Sequence, residues 1–97
     1  MIKVHIKENL IQISGHANFA EYKTDIVCSA VSTAIIMTLN LMELFNLSDK
    51  IKFELTEGYF QLLIKESDEI LNKISQNLEY TVGNLALQYP KNVKIYK

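Results

Sequence analysis

The chain has 97 residues, of which 48% are hydrophobic. This length and composition predict a single globular domain spanning residues 1–97 and exclude a disordered chain. The 10 basic and 11 acidic side chains give a formal net charge of −1 without any basic run, so direct binding to nucleic acid is not expected. The single cysteine excludes an internal disulfide and favours a reduced thiol in the cytoplasm.

The N-terminal segment predicts a β-hairpin. Residues 2–7 and 10–14 each alternate between apolar and polar side chains, which is the period of half-buried strands. Gly15 ends the second strand, and the short, polar and aromatic segment 17–24 is predicted to be a loop. Because the first residues alternate instead of forming an apolar block, no export signal is expected.

A helical pattern extends from Ile26 to about Phe45. At 3.6 residues per turn its polar residues, Thr38 excepted, fall on one narrow stripe, formed by Ser29, Ser32, Thr33, Asn40 and Glu43. A helix this apolar must be covered on more than one side, by a sheet and by either a second helix or a partner subunit. The same polar residues interrupt the apolar run, so a membrane span is not expected.

The second half of the chain predicts another hairpin around Gly58, a second helix capped by Ser67 or Asp68, and a short last strand with the sequence "VKIY". The inward stripe of this second helix is expected to contain Ile70, Leu71, Ile74, Leu78, Val82 and Leu85. The resulting order is ββαββαβ. It predicts a two-layer α+β domain in which two helices pack on one face of about five strands.

Two reactive side chains lie on either side of the predicted loop. If Asp25 caps the first helix, Cys28 is the third residue of its first turn, where unpaired amides and the helix dipole favour a thiolate. His16 follows a glycine at a strand end, and a loop of about ten residues can fold back to bring it to the thiol. The alternative interpretation is an ordinary buried thiol and a surface histidine.

The sequence "GHA" at 15–17, followed by "DIVCSAVS" at 25–32, resembles the signature of the ribosomal-processing cysteine proteases, the Prp family. The resemblance implies that His16 and Cys28 form a catalytic dyad in a homodimeric enzyme. It implies that the substrate is the precursor of protein number twenty-seven of the bacterial large ribosomal subunit. The N-terminal extension of this precursor would be removed after an aromatic pair during ribosome assembly. The alternative function is a non-catalytic, ribosome-associated binding module.

Four further residues are candidates for binding or orienting a substrate. Asp25 either caps the helix or orients the histidine as a third catalytic member. Ser32, one turn beyond the cysteine, lies beside a passing substrate or bonds back to a helix carbonyl. Phe19 and Tyr22 either close over an extended peptide or pack the loop onto the sheet. Family members tend to have a glycine where this chain has Lys23, which predicts a stiffer or differently gated loop.

The remaining chemical requirements are an oxyanion site and any cofactor. Backbone amides at the start of the first helix, those of Cys28 and a neighbour, are expected to hold the oxyanion. One cysteine and two separated histidines give no plausible set of metal ligands, and no phosphate-binding glycine loop is present, so no cofactor is expected.

Overall fold

The computed structural model describes residues 1–18, 20–21 and 25–97. A short 3-10 helix, Ser48–Lys50, follows the first α-helix. The main elements are β1 (Ile2–Lys7), β2 (Leu10–Ser14), α1 (Ile26–Leu44), β3 (Ile51–Thr56), β4 (Tyr59–Ile64), α2 (Glu69–Gln88) and β5 (Val93–Tyr96). The predicted order ββαββαβ and the α+β class are confirmed.

The five strands form one mixed sheet in the order β3-β4-β2-β1-β5. All neighbours are antiparallel except β1 and β5, which are parallel. The two predicted hairpins are joined by the pairing of β2 with β4, in which Ser14 lies opposite Tyr59. One residue further, the Gly15 amide donates to the Gly58 carbonyl at 2.9 Å. The end of β2 is therefore held against the turn between β3 and β4.

The core lies on one face of this sheet. Cross-strand partners such as Val4 and Ile13, or Ile13 and Phe60, are all buried there, and they face the layer formed by α1 and α2. The opposite face carries mainly polar side chains, including His5 and Gln12. This two-layer arrangement leaves the second face of the sheet without a helix among the described elements.

α1 buries one stripe in the core, formed by Val27, Val31, Ile35, Thr38 and Met42. The Thr38 hydroxyl donates to the Ala34 carbonyl at 2.7 Å, so this buried polar group is satisfied within the helix. The outer stripe of α1, defined by Ile26, Met37 and Leu44, is exposed although it is apolar. By length and composition alone α1 could cross a membrane; in this fold it packs on the sheet and on α2.

The N-cap of α2 is Asp68, one of the two residues, Ser67 and Asp68, that the sequence predicted for this role. Asp68 accepts a hydrogen bond from the Leu71 amide at 3.0 Å and pairs with the Lys50 ammonium at 3.0 Å. The Leu71 amide, and then Lys50, hold the pKa of Asp68 below its ordinary value. A lowered pKa in the folded chain means that this contribution to stability is present at neutral pH and is lost when acid protonates Asp68.

The predicted inward stripe of α2 is wrong at its first residue. Ile70 is 48% exposed, whereas Leu71 is fully buried. With Asp68 as the cap, the first turn directs Leu71 toward the sheet, and Ile70, rotated by about 100°, faces solvent. Ser75 lies in the buried stripe instead, and Leu85 at the other end is half-buried.

We predict opposite effects of alanine at two glycines. Gly15 has φ +97°, and a β-carbon there would collide with the Met1 carbonyl, so Gly15→Ala should destabilise the fold by about 2 kcal/mol or more. Gly83 lies inside α2, where a β-carbon would meet Ile95 at an ordinary 4.0 Å. Gly83→Ala should therefore stabilise the fold by up to about 1 kcal/mol. Urea unfolding midpoints test both, and a Gly15→Ala variant as stable as wild type would contradict this account.

Candidate active site

The histidine is placed by the meeting of β2 with the β3–β4 turn. His16 follows Gly15 directly and is exposed. A β-carbon at Gly58 would lie 3.1 Å from His16 Nε2, so the imidazole rests against the bare backbone of that turn. Gly58 also has φ +74°, which favours glycine. The sequence marks Gly58 only as a turn residue, and its contact with the histidine follows from the pairing of distant strands.

The cysteine is placed by the cap of α1. As predicted, Asp25 is the N-cap, and its Oδ1 accepts from the Val27 amide at 2.9 Å and from the Cys28 amide at 3.0 Å. Asp25 is 2% exposed, so this cap is shielded from water. Cys28 is the third helical residue and is half-buried. The other role considered for Asp25, orienting His16, stays a prediction.

Ala17 joins the two halves of the site. Its amide donates to Cys28 Sγ at 3.2 Å, and because Ala17 follows His16 directly, the end of β2 meets the start of α1 as expected. The Ala17 carbonyl accepts from Asn92 Nδ2 at 2.8 Å. Ala17 is therefore held on both sides, its N–H by α1 and its carbonyl by the segment before β5. No local pattern in the sequence indicates Asn92, which lies 75 residues away.

His16 and Cys28 line the same groove, which has a volume of about 490 Å³ and lies between α1 and the β3–β4 hairpin. Ser32 lines it from α1, and Leu55 and Phe60 contribute apolar surface from the strands. A volume of this order suits a small ligand or a short segment of peptide. A half-buried thiol and an imidazole in one groove are the groups required for nucleophilic attack on a carbonyl.

Other sequence predictions for the site have mixed outcomes. Phe19, Tyr22 and Lys23 lie outside the described residues, so the predicted lid is not described. The expected oxyanion donors stay a prediction; here the Cys28 amide donates to Asp25 Oδ1, and the next amide along the helix donates to the Asp25 carbonyl at 3.1 Å. The amides that were expected to bind the substrate oxygen therefore donate to the Asp25 cap.

A thiol and an imidazole brought together at the junction of a strand and a helix define a site of the cysteine-hydrolase class. A family model described as cysteine protease Prp matches residues 1–94. The chain belongs to the cysteine protease Prp family.

Individual relatives agree with this family. The ribosomal processing cysteine protease Prp of Mycoplasma genitalium is 43% identical over 53 residues, which are 55% of this chain and only half (50%) of that protein. The Streptococcus mutans protein SMU.848 is 27% identical, with a TM-score of 0.77 over 97% of this chain and 89% of that one. The S. aureus processing protease Prp, with a covalently linked product peptide, has the same fold, with a TM-score of 0.83 at 18% identity over 97% of this chain and 94% of that one.

We predict that Asn92→Ala slows alkylation of Cys28 in the folded protein by about two- to tenfold. Without the Asn92 amide the Ala17 peptide is held less firmly, and its N–H stabilises the sulfur anion less well. Asn72→Ala is the matched control, because it removes an exposed side-chain amide from α2. The measurement is the rate of iodoacetamide labelling; equal rates for both variants and wild type would show that Asn92 does not position the site.

Proposed function

We propose that this protein is a cysteine endopeptidase in which Cys28 is the nucleophile and His16 the general base. The observation that carries the proposal is the shared groove, which both side chains line and in which the amide next to His16 donates to Cys28 Sγ. Membership of the Prp family and the processing activity named for its relatives support the same chemistry. A single reduced thiol fits an enzyme of the cytoplasm.

The proposed reaction has two halves. His16 accepts the thiol proton, and Cys28 Sγ attacks the scissile carbonyl carbon to form a carbon–sulfur bond. The carbon–nitrogen bond then breaks as the His16 imidazolium protonates the leaving amine, which leaves a thioester on Cys28. Water, deprotonated by His16, attacks this thioester, and the thiol is released with the new carboxylate product.

The Ala17 amide is the donor that we assign to the oxyanion. It already points at Cys28 Sγ from 3.2 Å, so an oxygen on a carbon bonded to that sulfur forms within its reach. The amides at the start of α1 are committed to Asp25. A donor on a residue whose N–H and carbonyl are both held needs little reorganisation when charge develops, which is what makes such donors effective.

The groove favours an extended peptide with large apolar side chains. Ile36 of α1 faces Leu55 and Phe60 of the strands across it, and Ser32 adds a hydroxyl near the thiol. This lining suits an aromatic pair before the scissile bond. We therefore propose that the substrate is the precursor of large-subunit ribosomal protein twenty-seven, from which the enzyme removes the N-terminal extension during ribosome assembly.

The direct test is incubation of this precursor with wild type, Cys28→Ala and His16→Ala, followed by intact-mass measurement. Wild type should produce the shortened protein, Cys28→Ala should produce none, and His16→Ala should be slower by about 100- to 10,000-fold. Urea midpoints close to wild type would show that both variants are folded.

Thiol reactivity separates this enzyme from a non-catalytic binding module. Iodoacetamide should label folded wild type quickly even at about pH 6, where an ordinary thiol is almost entirely protonated. The His16→Ala variant should react more slowly at that pH. Labelling that requires unfolding, together with an uncleaved precursor, would leave the binding module as the better description.

We further propose that the enzyme is a homodimer in which the outer stripe of α1 meets the same stripe of a second copy. Ile26, Met37 and Leu44 recur at intervals of 11 and 7 residues, so they share one side of the helix. All three are more than half exposed in the isolated chain. A two-fold interface uses one self-complementary patch twice, and a single apolar helix side can supply it.

Met37→Glu should weaken the dimer by about 30-fold or more, because it places an unpaired carboxylate at the centre of this stripe. Leu87→Glu is the matched control, since Leu87 is 82% exposed on α2 and lies outside the stripe. Sedimentation equilibrium over a range of concentrations measures the change. A wild-type monomer, or equal dissociation constants for the two variants, would contradict the proposed interface.

A further inference from the structure

The face of the sheet opposite the helices has a charge unlike that of the whole chain. Four lysines project from its strands: Lys3, Lys7, Lys52 and Lys94, all of them exposed. Among the described strand residues, Glu54 is the carboxylate on this face. Glu8 and Glu57 lie in turns at its two ends. The formal net charge of −1 therefore conceals a basic surface.

Two stacked rings lie within this basic surface. Parallel pairing of β1 with β5 places His5 beside Tyr96 and Lys3 beside Lys94. The ring centroids of His5 and Tyr96 are 4.8 Å apart and their planes differ by 11°. Lys94 Nζ lies 5.6 Å from the centre of the Tyr96 ring, and Tyr96 is 37% exposed. This ring pair is open to solvent at the edge of the sheet, with lysines beside it.

A row of side-chain amides continues from the ring pair across the sheet. His5 pairs with Gln12, and Gln12 pairs with Gln61, so the three lie side by side on adjacent strands. Gln12 Nε2 donates to Gln61 Oε1 at 3.0 Å, and the Tyr59 hydroxyl donates to the same oxygen at 2.6 Å. The face thus combines flat rings, a ladder of hydrogen-bonding groups and flanking cations.

We propose that this sheet face, defined by Lys3, His5, Gln12, Gln61, Lys94 and Tyr96, binds single-stranded RNA. Lysines neutralise phosphates, exposed rings stack on unpaired bases, and amides bond to base edges and to the 2′-hydroxyl. A four-stranded sheet with exposed aromatic residues is a known platform for two or three stacked bases. An acidic protein would use only the lysines, whereas single-stranded RNA also uses the rings and the amide row.

The net charge of the chain had predicted no direct binding to nucleic acid, and this proposal differs from that prediction. It is also independent of the proposed peptidase, because the catalytic groove lies on the helix side of the same sheet. RNA on one face and a peptide in the groove can therefore be bound at the same time. Together with the proposed peptidase activity, this would place the enzyme on the same RNA with which its protein substrate assembles.

The test uses the full chain and a fluorescein-labelled, unstructured RNA of about twelve nucleotides, read by anisotropy. Tyr96→Ala should weaken binding about tenfold through the lost base stacking. Tyr80→Ala is its matched control, because Tyr80 is 62% exposed but lies on α2. Tyr96→Phe keeps the ring and should bind like wild type, which preserves the test if the alanine variant fails to fold.

Salt dependence tests the lysines separately. Between about 50 and 200 mM salt, Lys3→Ala combined with Lys94→Ala should reduce the slope of log affinity against log salt by about 1.4. Lys73→Ala on α2 should leave the slope unchanged. The proposal would be overturned by the absence of RNA binding at about 50 mM salt, or by wild-type affinity in Tyr96→Ala. It would also be overturned if polyglutamate competed as strongly as unlabelled RNA, and that result would favour an acidic protein partner.

Discussion

The hydrogen bond from the Ala17 amide to the Cys28 sulfur is the contact on which the site depends. It joins the end of a central strand to the first turn of the long apolar helix, two elements separated by a loop. Both ends are fixed independently, because β2 is locked to β4 through Gly15 and α1 begins at the buried cap of Asp25. The sulfur and the imidazole are therefore positioned by the elements on either side of the loop that links them.

A helix cap and an oxyanion site at the start of α1 would need the same backbone donors. Asp25 accepts from the first amides of α1, which stabilises the helix start and leaves those amides engaged with the cap. In the mechanism we propose, the donor comes instead from Ala17, in the segment that follows β2. Ala17 is 1% exposed, and Asn92 holds its carbonyl while its N–H donates to the sulfur, so the residue is fixed on both sides.

Much of this architecture could be predicted from local sequence patterns. The strands alternate, α1 starts within one residue of its cap, and His16 and Cys28 are marked by their positions at element ends. The contacts that local patterns could not show are those between distant segments. Gly58 and Asn92 contact the site from 42 and 75 residues away, and Ile70 was misassigned because it lies at the margin of the stripe that Leu71, Leu78 and Val82 bury. The basic face was missed for a related reason: its lysines are separated in sequence and gather only when the strands pair.

Little of the surface of α1 is polar because most of its sides pack against other elements or line the groove. Its first turn holds the thiol, its inner stripe fills the core, and Ser32 and Ile36 form a wall of the groove. The exposed part of α1 is polar at Ser29, Thr33, Asn40 and Glu43, and beside these the outer stripe is apolar at Ile26, Met37 and Leu44. A solvent-facing stripe would be expected to carry charge, since exposed apolar surface of this extent favours association. If a second copy covers that stripe, the helix that carries each proposed nucleophile also joins the two subunits. The position of each thiol then depends on an interface along another side of its helix.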